Sequence, residues 1–146
     1  MQDLDVIREL ETICNQEFRA TRVDFHDYTY GGCWHITSGK HVSDICMTGD
    51  LPFPNDFDKV IFLLKKLRYL KVLILHHPNL CDISQIKELA PLETLRIRKL
   101  NIVDIKAVQY LQKLRHFSIT DCPVSDITPI SKLHELEELH LYDLEV

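Results

Sequence analysis

The stretch LCDISQIKEL at residues 80–89 has a pattern that returns twice, as IVDIKAVQYL at 102–111 and as VSDITPISKL at 124–133. In each copy an Asp-Ile pair is followed by an aliphatic residue three positions later, and then by Leu after another three. Apolar residues three apart share one face of a 3₁₀ or short helical turn. The repetition therefore predicts equivalent short helical segments, each returning the chain to the start of the next unit.

Aliphatic columns with the same 22-residue interval run through the residues before each return segment. They start at Leu67, Leu70, Leu73 and Leu75. The Leu-x-Leu part of each unit has period two, which is typical of a short strand with alternate side chains pointing inward. Such units cannot bury their apolar side alone, so they stack into a solenoid. We expect its central row to consist of Leu73, Leu95, Phe117 and Leu139.

The recurring aspartates Asp82, Asp104 and Asp126 stand at or just before the predicted return segments. Backbone N–H groups lack partners at such a start, and a carboxylate can accept hydrogen bonds from them. Pro129 is expected at the first helical position of the third copy. A metal-binding column is the alternative interpretation, but no second type of ligand recurs beside the aspartates.

These residues resemble the leucine-rich repeat family, in particular its 22-residue class, which includes internalin-like and phosphatase-regulator-type proteins. The resemblance covers roughly residues 42–146, and VSDITPISKLHELEELHL is its closest piece. It implies an α/β solenoid of short parallel strands with 3₁₀ or short helical returns, whose strands line a concave surface where family members commonly bind. The family usually has Asn, or sometimes Cys, in the turn after the strand. The corresponding positions are Pro78, Leu100 and Cys122, of which only Cys122 fits, so we expect an irregular turn ladder.

The residues before the repeats predict an N-terminal cap at 1–41, followed by the solenoid at 42–146. Val6, Ile7, Leu10, Ile13, Cys14 and Phe18 mark one face of an amphipathic helix. Gly31-Gly32 is placed as the turn of a hairpin, with Trp34 and Ile36 packing beneath the cap. The first coil is longer than the others, and its extra length predicts a second helix capped by Asp56 or Asp58. Its core face is expected to carry Phe57, Val60, Ile61, Leu64 and Leu67.

Composition limits the classes of protein that fit. The 146 residues carry 17 basic and 22 acidic side chains, a net charge of −5 that argues against a nucleic-acid partner. The N-terminus shows no apolar run of signal-peptide length, and no stretch approaches a membrane span. The five cysteines form no C-x-x-C pair, which favours reduced thiols in a cytoplasmic protein and no zinc site, although a disulfide between two of them stays open.

The side chains expected to point outward from the strands form the candidate binding surface. Arginines Arg96 and Arg98 lie at its centre, and a guanidinium pairs with carboxylates through two parallel hydrogen bonds. A solvated face of mixed charge without any partner is the alternative. The candidate residues are Val72, Ile74, His76, Arg96, Arg98, Lys99, Arg115, His116, Ser118, Thr120, His140 and Tyr142.

The sequence thus predicts a protein-binding module without cofactor or metal, whose partner is another protein with an acidic patch. The histidines lie in different columns, so a shared metal is not expected, although they could make binding depend on pH. A regulatory or inhibitory subunit is the narrower expectation. The first alternative is an assembly role, with self-association through the C-terminal strand. The second is a cysteine-dependent enzyme using Cys33 and His35, although no G-x-S-x-G, P-loop or H-E-x-x-H motif occurs.

Overall fold

The computed structural model describes residues 2–20, 33–48 and 56–145. Its α-helices are α1 (Asp3–Cys14) and α2 (Phe57–Leu64), and its 3₁₀ helices are η1 (Ser84–Glu88), η2 (Lys106–Tyr110) and η3 (Thr128–Lys132). The strands are β1 (Phe18–Ala20), β2 (Cys33–Ser38), β3 (His41–Thr48), β4 (Val72–His76), β5 (Thr94–Arg98), β6 (His116–Cys122) and β7 (Glu138–Leu144). The predicted alternation of strand and 3₁₀ return is confirmed.

The strands form one sheet in the order β1 to β7. Strands β3 to β7 pair in parallel, and their register aligns residues 22 positions apart from β4 onward. The predicted central row is therefore confirmed, since Leu73 pairs with Leu95, Leu95 with Phe117, and Phe117 with Leu139. A regular 22-residue coil forces this register, because each coil returns the chain to the same height on the next strand.

The return segments close the other side of the core. Leu80, Ile83, Ile86 and Leu89 are all at most 5% exposed, as their spacing of three predicts. Complete burial of one such side chain stabilises the fold by about 1.5–3 kcal/mol before chain entropy is subtracted. Because every coil repeats the same apolar positions, the core continues without a break from one coil to the next.

The recurring aspartates hold the start of each 3₁₀ helix. Asp82 accepts from the backbone N–H of Ser84 at 2.7 Å, and Asp104 accepts from that of Lys106 at 2.7 Å. Asp126 accepts from both the N–H and the hydroxyl of Thr128, and these two bonds lower the pKa of its carboxyl group. The predicted hydrogen bonds are confirmed, and each aspartate lies one residue before the N-cap, which is Ile83, Ile105 or Ile127. Pro129 is the second residue of η3 rather than the first.

The two α-helices pack most of their predicted faces into the same core. Two predicted members are buried but lie outside the helices, since Phe18 is the first residue of β1 and Leu67 follows the end of α2. In α1 the side chains of Val6, Ile7, Leu10 and Cys14 are buried, while Ile13 is partly buried. In α2 the buried side chains include Phe57, Val60, Ile61 and Leu64. Asp56 caps this helix by accepting from the N–H of Lys59 at 3.2 Å, which decides between the two expected caps.

The N-terminal region joins the repeats through an antiparallel pair. Strand β2 pairs antiparallel with β3 across a turn at Gly39, whose φ of 65° suits glycine. Strand β1 pairs in parallel with β2. The expected turn at Gly31-Gly32, and the side chains of Trp34 and Ile36, lie outside the described residues. The division between residues 41 and 42 stays a prediction, and β2 and β3 share one sheet across it.

Candidate functional site

Side chains that alternate with the core rows form a continuous outer surface, which we call the strand face. One column of it pairs Ile74 with Arg96, Ser118 and His140, and the next pairs His76 with Arg98, Thr120 and Tyr142. The third column contains Val72, Thr94, His116 and Glu138. The structure thus brings together ten of the predicted site residues. These are Val72, Ile74, His76, Arg96, Arg98, His116, Ser118, Thr120, His140 and Tyr142.

Exposure changes along the strand face. At its β3–β4 end, Cys46 is 3% exposed and Ile74 is 4% exposed, so the central column is buried there, while Val72 and His76 are partly buried. Arg96 on β5 is partly buried, whereas Arg98 is exposed. At the other end, Tyr142 is 56% exposed. The exposed side chains of the face therefore begin at Arg98 and continue towards β7.

Positive charge at the centre of the face comes from Arg96 and Arg98. Burial lowers the pKa of the Arg96 guanidinium, and the charge of Glu138 opposes that shift. Glu138 was not among the predicted binding residues, although its place in the 22-residue columns put it on the same face. Asp44, also on this face, is 7% exposed. Burial raises the pKa of its carboxyl group, and a hydrogen bond from the Ser43 hydroxyl acts in the opposite direction.

The other two predicted cations, Lys99 and Arg115, lie at opposite ends of the strands. Lys99 follows β5 in a left-handed conformation with φ of 52°, and it lines a groove with Asp121 and Asp143. Arg115 precedes β6, and its Nε donates to the Glu137 carboxylate at 2.9 Å. Neither side chain extends the positive centre of the strand face, and Arg115 already has a carboxylate partner within the chain.

The residues immediately before β4 to β7 form a column of alternating charge. They are Lys71, Glu93, Arg115 and Glu137. The ammonium group of Lys71 lies 2.8 Å from the Glu93 carboxylate. Backbone bonds of 2.8 Å follow the same column, from Glu93 N to Lys71 O and from Arg115 N to Glu93 O. Opposite charges on successive coils favour this register, although exposed pairs of this kind each contribute only about 0.2–1 kcal/mol.

Histidines of the strand face are spread over three strands. His116 lies 3.3 Å from the Thr94 hydroxyl, measured at the ring Nδ1. On β7 the rings of His140 and Tyr142 stack with centroids 6.1 Å apart. Within 2–20, 33–48 and 56–145, no three His, Cys, Asp or Glu side chains form a group that could hold a metal ion.

The cysteine-enzyme hypothesis concerns Cys33 and His35 on β2. His35 is 5% exposed and pairs with the core residue Ile45. Its ring Nδ1 has no hydrogen-bond partner. Burial lowers the pKa of the imidazole, against an opposite contribution from Glu11. The Cys33 side chain lies outside the described residues, so this hypothesis stays a prediction.

Comparison with known proteins agrees with the fold described above. The crystal structure of internalin C2 from Listeria monocytogenes has 32% sequence identity and a TM-score of 0.52, over 57% of this chain and 37% of that one. The fold of this chain is a leucine-rich repeat solenoid. The crystal structure of internalin F from the same organism has 21% sequence identity and a TM-score of 0.45, over 95% of this chain and 37% of that one. No family profile and no curated protein match the sequence.

This chain therefore spans 37% of the length of both of these internalin structures. Among its described helices, none has the length and apolar character needed to cross a membrane. The 22-residue columns were the signal that located the strand face. Sequence reasoning placed Asp44 and Glu138 on that face but did not include them among the binding residues.

Proposed function

We propose that this chain is a protein-binding module that uses the strand face between β5 and β7. The observation that carries the proposal is the position of Arg96 and Arg98 in neighbouring columns, with exposed Tyr142 on β7. Arginine and tyrosine are enriched at the energetic centres of protein interfaces. An acidic patch on the partner would pair with the two guanidinium groups, and the Tyr142 ring would supply apolar contact area.

A pull-down from lysate of the source cells tests this assignment. We expect the wild-type chain to retain a partner that an Arg96→Glu, Arg98→Glu variant loses, because each truncated hot spot costs roughly 1–4 kcal/mol of binding. A Lys87→Glu, Lys132→Glu variant is the matched control, since it makes the same charge change on η1 and η3, away from the strand face. Equal retention of every captured protein by all three chains would remove the strand face as the docking surface.

We also propose that the module acts in the cytoplasm as a regulatory or inhibitory subunit. Among the described cysteines, Cys81 and Cys122 are free thiols, which favours a reducing compartment. A repeat solenoid presents a fixed surface that can cover an enzyme without contributing catalytic groups. Identification of the retained partner as an enzyme, followed by its assay with and without this chain, tests the narrower role.

Assembly through β7 is the second candidate function. Leu139 is 42% exposed, whereas Leu73, Leu95 and Phe117 of the same row are at most 1% exposed. A second copy or a further coil of a longer chain would each cover this row. Sedimentation velocity over a range of concentrations distinguishes them, since only pairing between copies gives a mass that rises with concentration.

A further inference from the structure

The accessible part of the strand face is lined by hydrogen-bond donors. One column contributes Arg96, Ser118 and His140, and its neighbour contributes Arg98, Thr120 and Tyr142. We call these six side chains the donor grid. Guanidinium groups can only donate, and hydroxyl and imidazole groups can donate as well as accept. On β5, β6 and β7 these two columns contain no carboxylate.

The four members of the donor grid on β5 and β6 surround a space of defined size. Side chains two residues apart on a strand are about 6.7 Å apart, and neighbouring strands are separated by about 4.8 Å. Arg96, Arg98, Ser118 and Thr120 therefore rise from the corners of a rectangle with about these dimensions. Both arginine side chains are long enough to reach across this rectangle, whereas the shorter Ser118 and Thr120 side chains keep their hydroxyl groups close to the sheet.

A phosphate monoester suits this arrangement better than a carboxylate does. It carries a charge of about −1.5 to −2 at neutral pH and three strong acceptor oxygens, whereas a carboxylate has one charge and two oxygens. Two arginines with two adjacent hydroxyl groups offer more donors than one carboxylate can accept in a single orientation. Arg98 supports phosphate as the ligand, because it is exposed and forms no ion pair with any residue that the structure describes.

We propose that the donor grid binds a phosphorylated segment of the partner protein. The phosphate would lie between the Arg96 and Arg98 guanidinium groups, with the Ser118 and Thr120 hydroxyls donating to its remaining oxygens. This assignment rests on the proposed function, because the partner that docks on the strand face would carry the phosphate. Tyr142, a member of the grid on β7 that is 56% exposed, would contact the residue next to the phosphorylated one.

Glu138, in the column next to the donor grid, provides a second test of the phosphate assignment. The charge of Glu138 acts on Arg96 from the third column of the face. A phosphate at Arg96 would be repelled by this carboxylate, so Glu138→Gln should strengthen phosphate binding. A purely structural role for Glu138 predicts no such gain.

Titration of the ¹⁵N-labelled chain with acetyl-Gly-Gly-phosphoserine-Gly-Gly-amide, followed by NMR at constant ionic strength, tests the proposal. We expect amide shifts to cluster at residues 96–98 and 118–120. The matching peptide with Glu should bind roughly tenfold more weakly, because it lacks one charge and one acceptor oxygen. The peptide with unmodified Ser should cause no clustered shifts.

Three variants connect the shifts to the grid. Arg98→Gln and Ser118→Ala should each weaken phosphopeptide binding, by about tenfold for the arginine. Arg68→Gln makes the same charge change at an exposed arginine before β4, and it should bind like the wild type. Glu138→Gln should bind more tightly than the wild type. Dispersed amide spectra of all variants would confirm that each is folded.

Several outcomes would overturn the phosphate assignment. They are the absence of clustered shifts, equal affinity for the Glu and phosphoserine peptides, and equal weakening by Arg68→Gln. Inorganic phosphate that binds the same amides as tightly as the peptide would indicate a site for the free anion, and would also overturn it. Retention of a partner by the strand face in the pull-down, together with a failed titration, would remove only the phosphate assignment and leave the proposed function standing.

Discussion

The coils at residues 80–133 and the N-terminal strands β2 and β3 bury different kinds of side chain. Every buried residue of 80–133 is apolar. In β2 and β3, by contrast, the imidazole of His35 and the carboxyl group of Asp44 are buried as well. His77, at the end of β4, is the third buried polar residue of the described chain and belongs to neither region.

The difference follows from how each region meets its neighbours. Within the coils, each residue packs against the same column one coil away, so an apolar position meets other apolar positions. At β2 and β3 this correspondence is lost, because β2 pairs antiparallel with β3 and the pairing of Asp44 with Val72 departs from the 22-residue interval. We therefore expect the coils to respond mainly to lost volume, and the N-terminal strands to respond to pH as well.

Loss of packing in a central coil should have the largest effect. Leu95 is completely buried, so we expect Leu95→Ala to lower the free energy of unfolding by about 2–5 kcal/mol. Leu139→Ala removes the same atoms from the same row where the side chain is 42% exposed, and it should cost clearly less. Urea denaturation followed by circular dichroism measures both, and equal losses would contradict a core that is tightest in the central coils.

Loss of a recurring aspartate carboxylate should lower the free energy of unfolding by less than the loss of core packing does. Asp104 accepts from the N–H of Lys106 at the start of η2, so Asp104→Ala should lower the free energy of unfolding by about 1 kcal/mol. Asp104→Asn keeps an acceptor oxygen and should retain most of that stability. The same denaturation experiment measures both changes. If Asn cost as much as Ala, the hydrogen bond would not explain why this residue recurs in every coil.

The smallest expected change is a pH dependence of the N-terminal region. The folded-state pKa of His35 lies below the model-compound value of 6.5, mainly because the imidazole is buried. Below pH 6.5 the unfolded chain then binds a proton more readily than the folded chain does, so stability falls as the pH is lowered from 6.5 towards the folded-state pKa. Above pH 6.5 this contribution is constant.

Thermal unfolding of the wild type and of His35→Gln between pH 8 and pH 5 measures the effect. We expect the wild type to lose more stability on acidification than His35→Gln does. His134→Gln changes an exposed histidine after η3, and its profile should follow that of the wild type. Parallel profiles for all three chains would show that His35 does not set the difference between the two regions.

The sequence predicted the coils more completely than the face they present. The spacing of Leu73, Leu95 and Phe117 gave the strand register correctly, since the period applies to every coil alike. It also placed Arg96 and Arg98 on one face. It gave no sign that Ile74 is buried. Burial depends on which segments cover the face, and the repeat columns do not contain that information. The pairing of Arg115 with Glu137, by contrast, follows the same 22-residue interval.

The order of strand and return, the core rows and the capping aspartates were determined by the sequence itself, because a 22-residue period makes each coil the neighbour of an equivalent coil. Tertiary structure alone decided which part of the strand face is open, how β2 joins β3, and that His35 is buried without a partner for its Nδ1. Those features arise where non-repeating segments meet the coils. There the contacts depend on shape and on distant residues rather than on a local pattern.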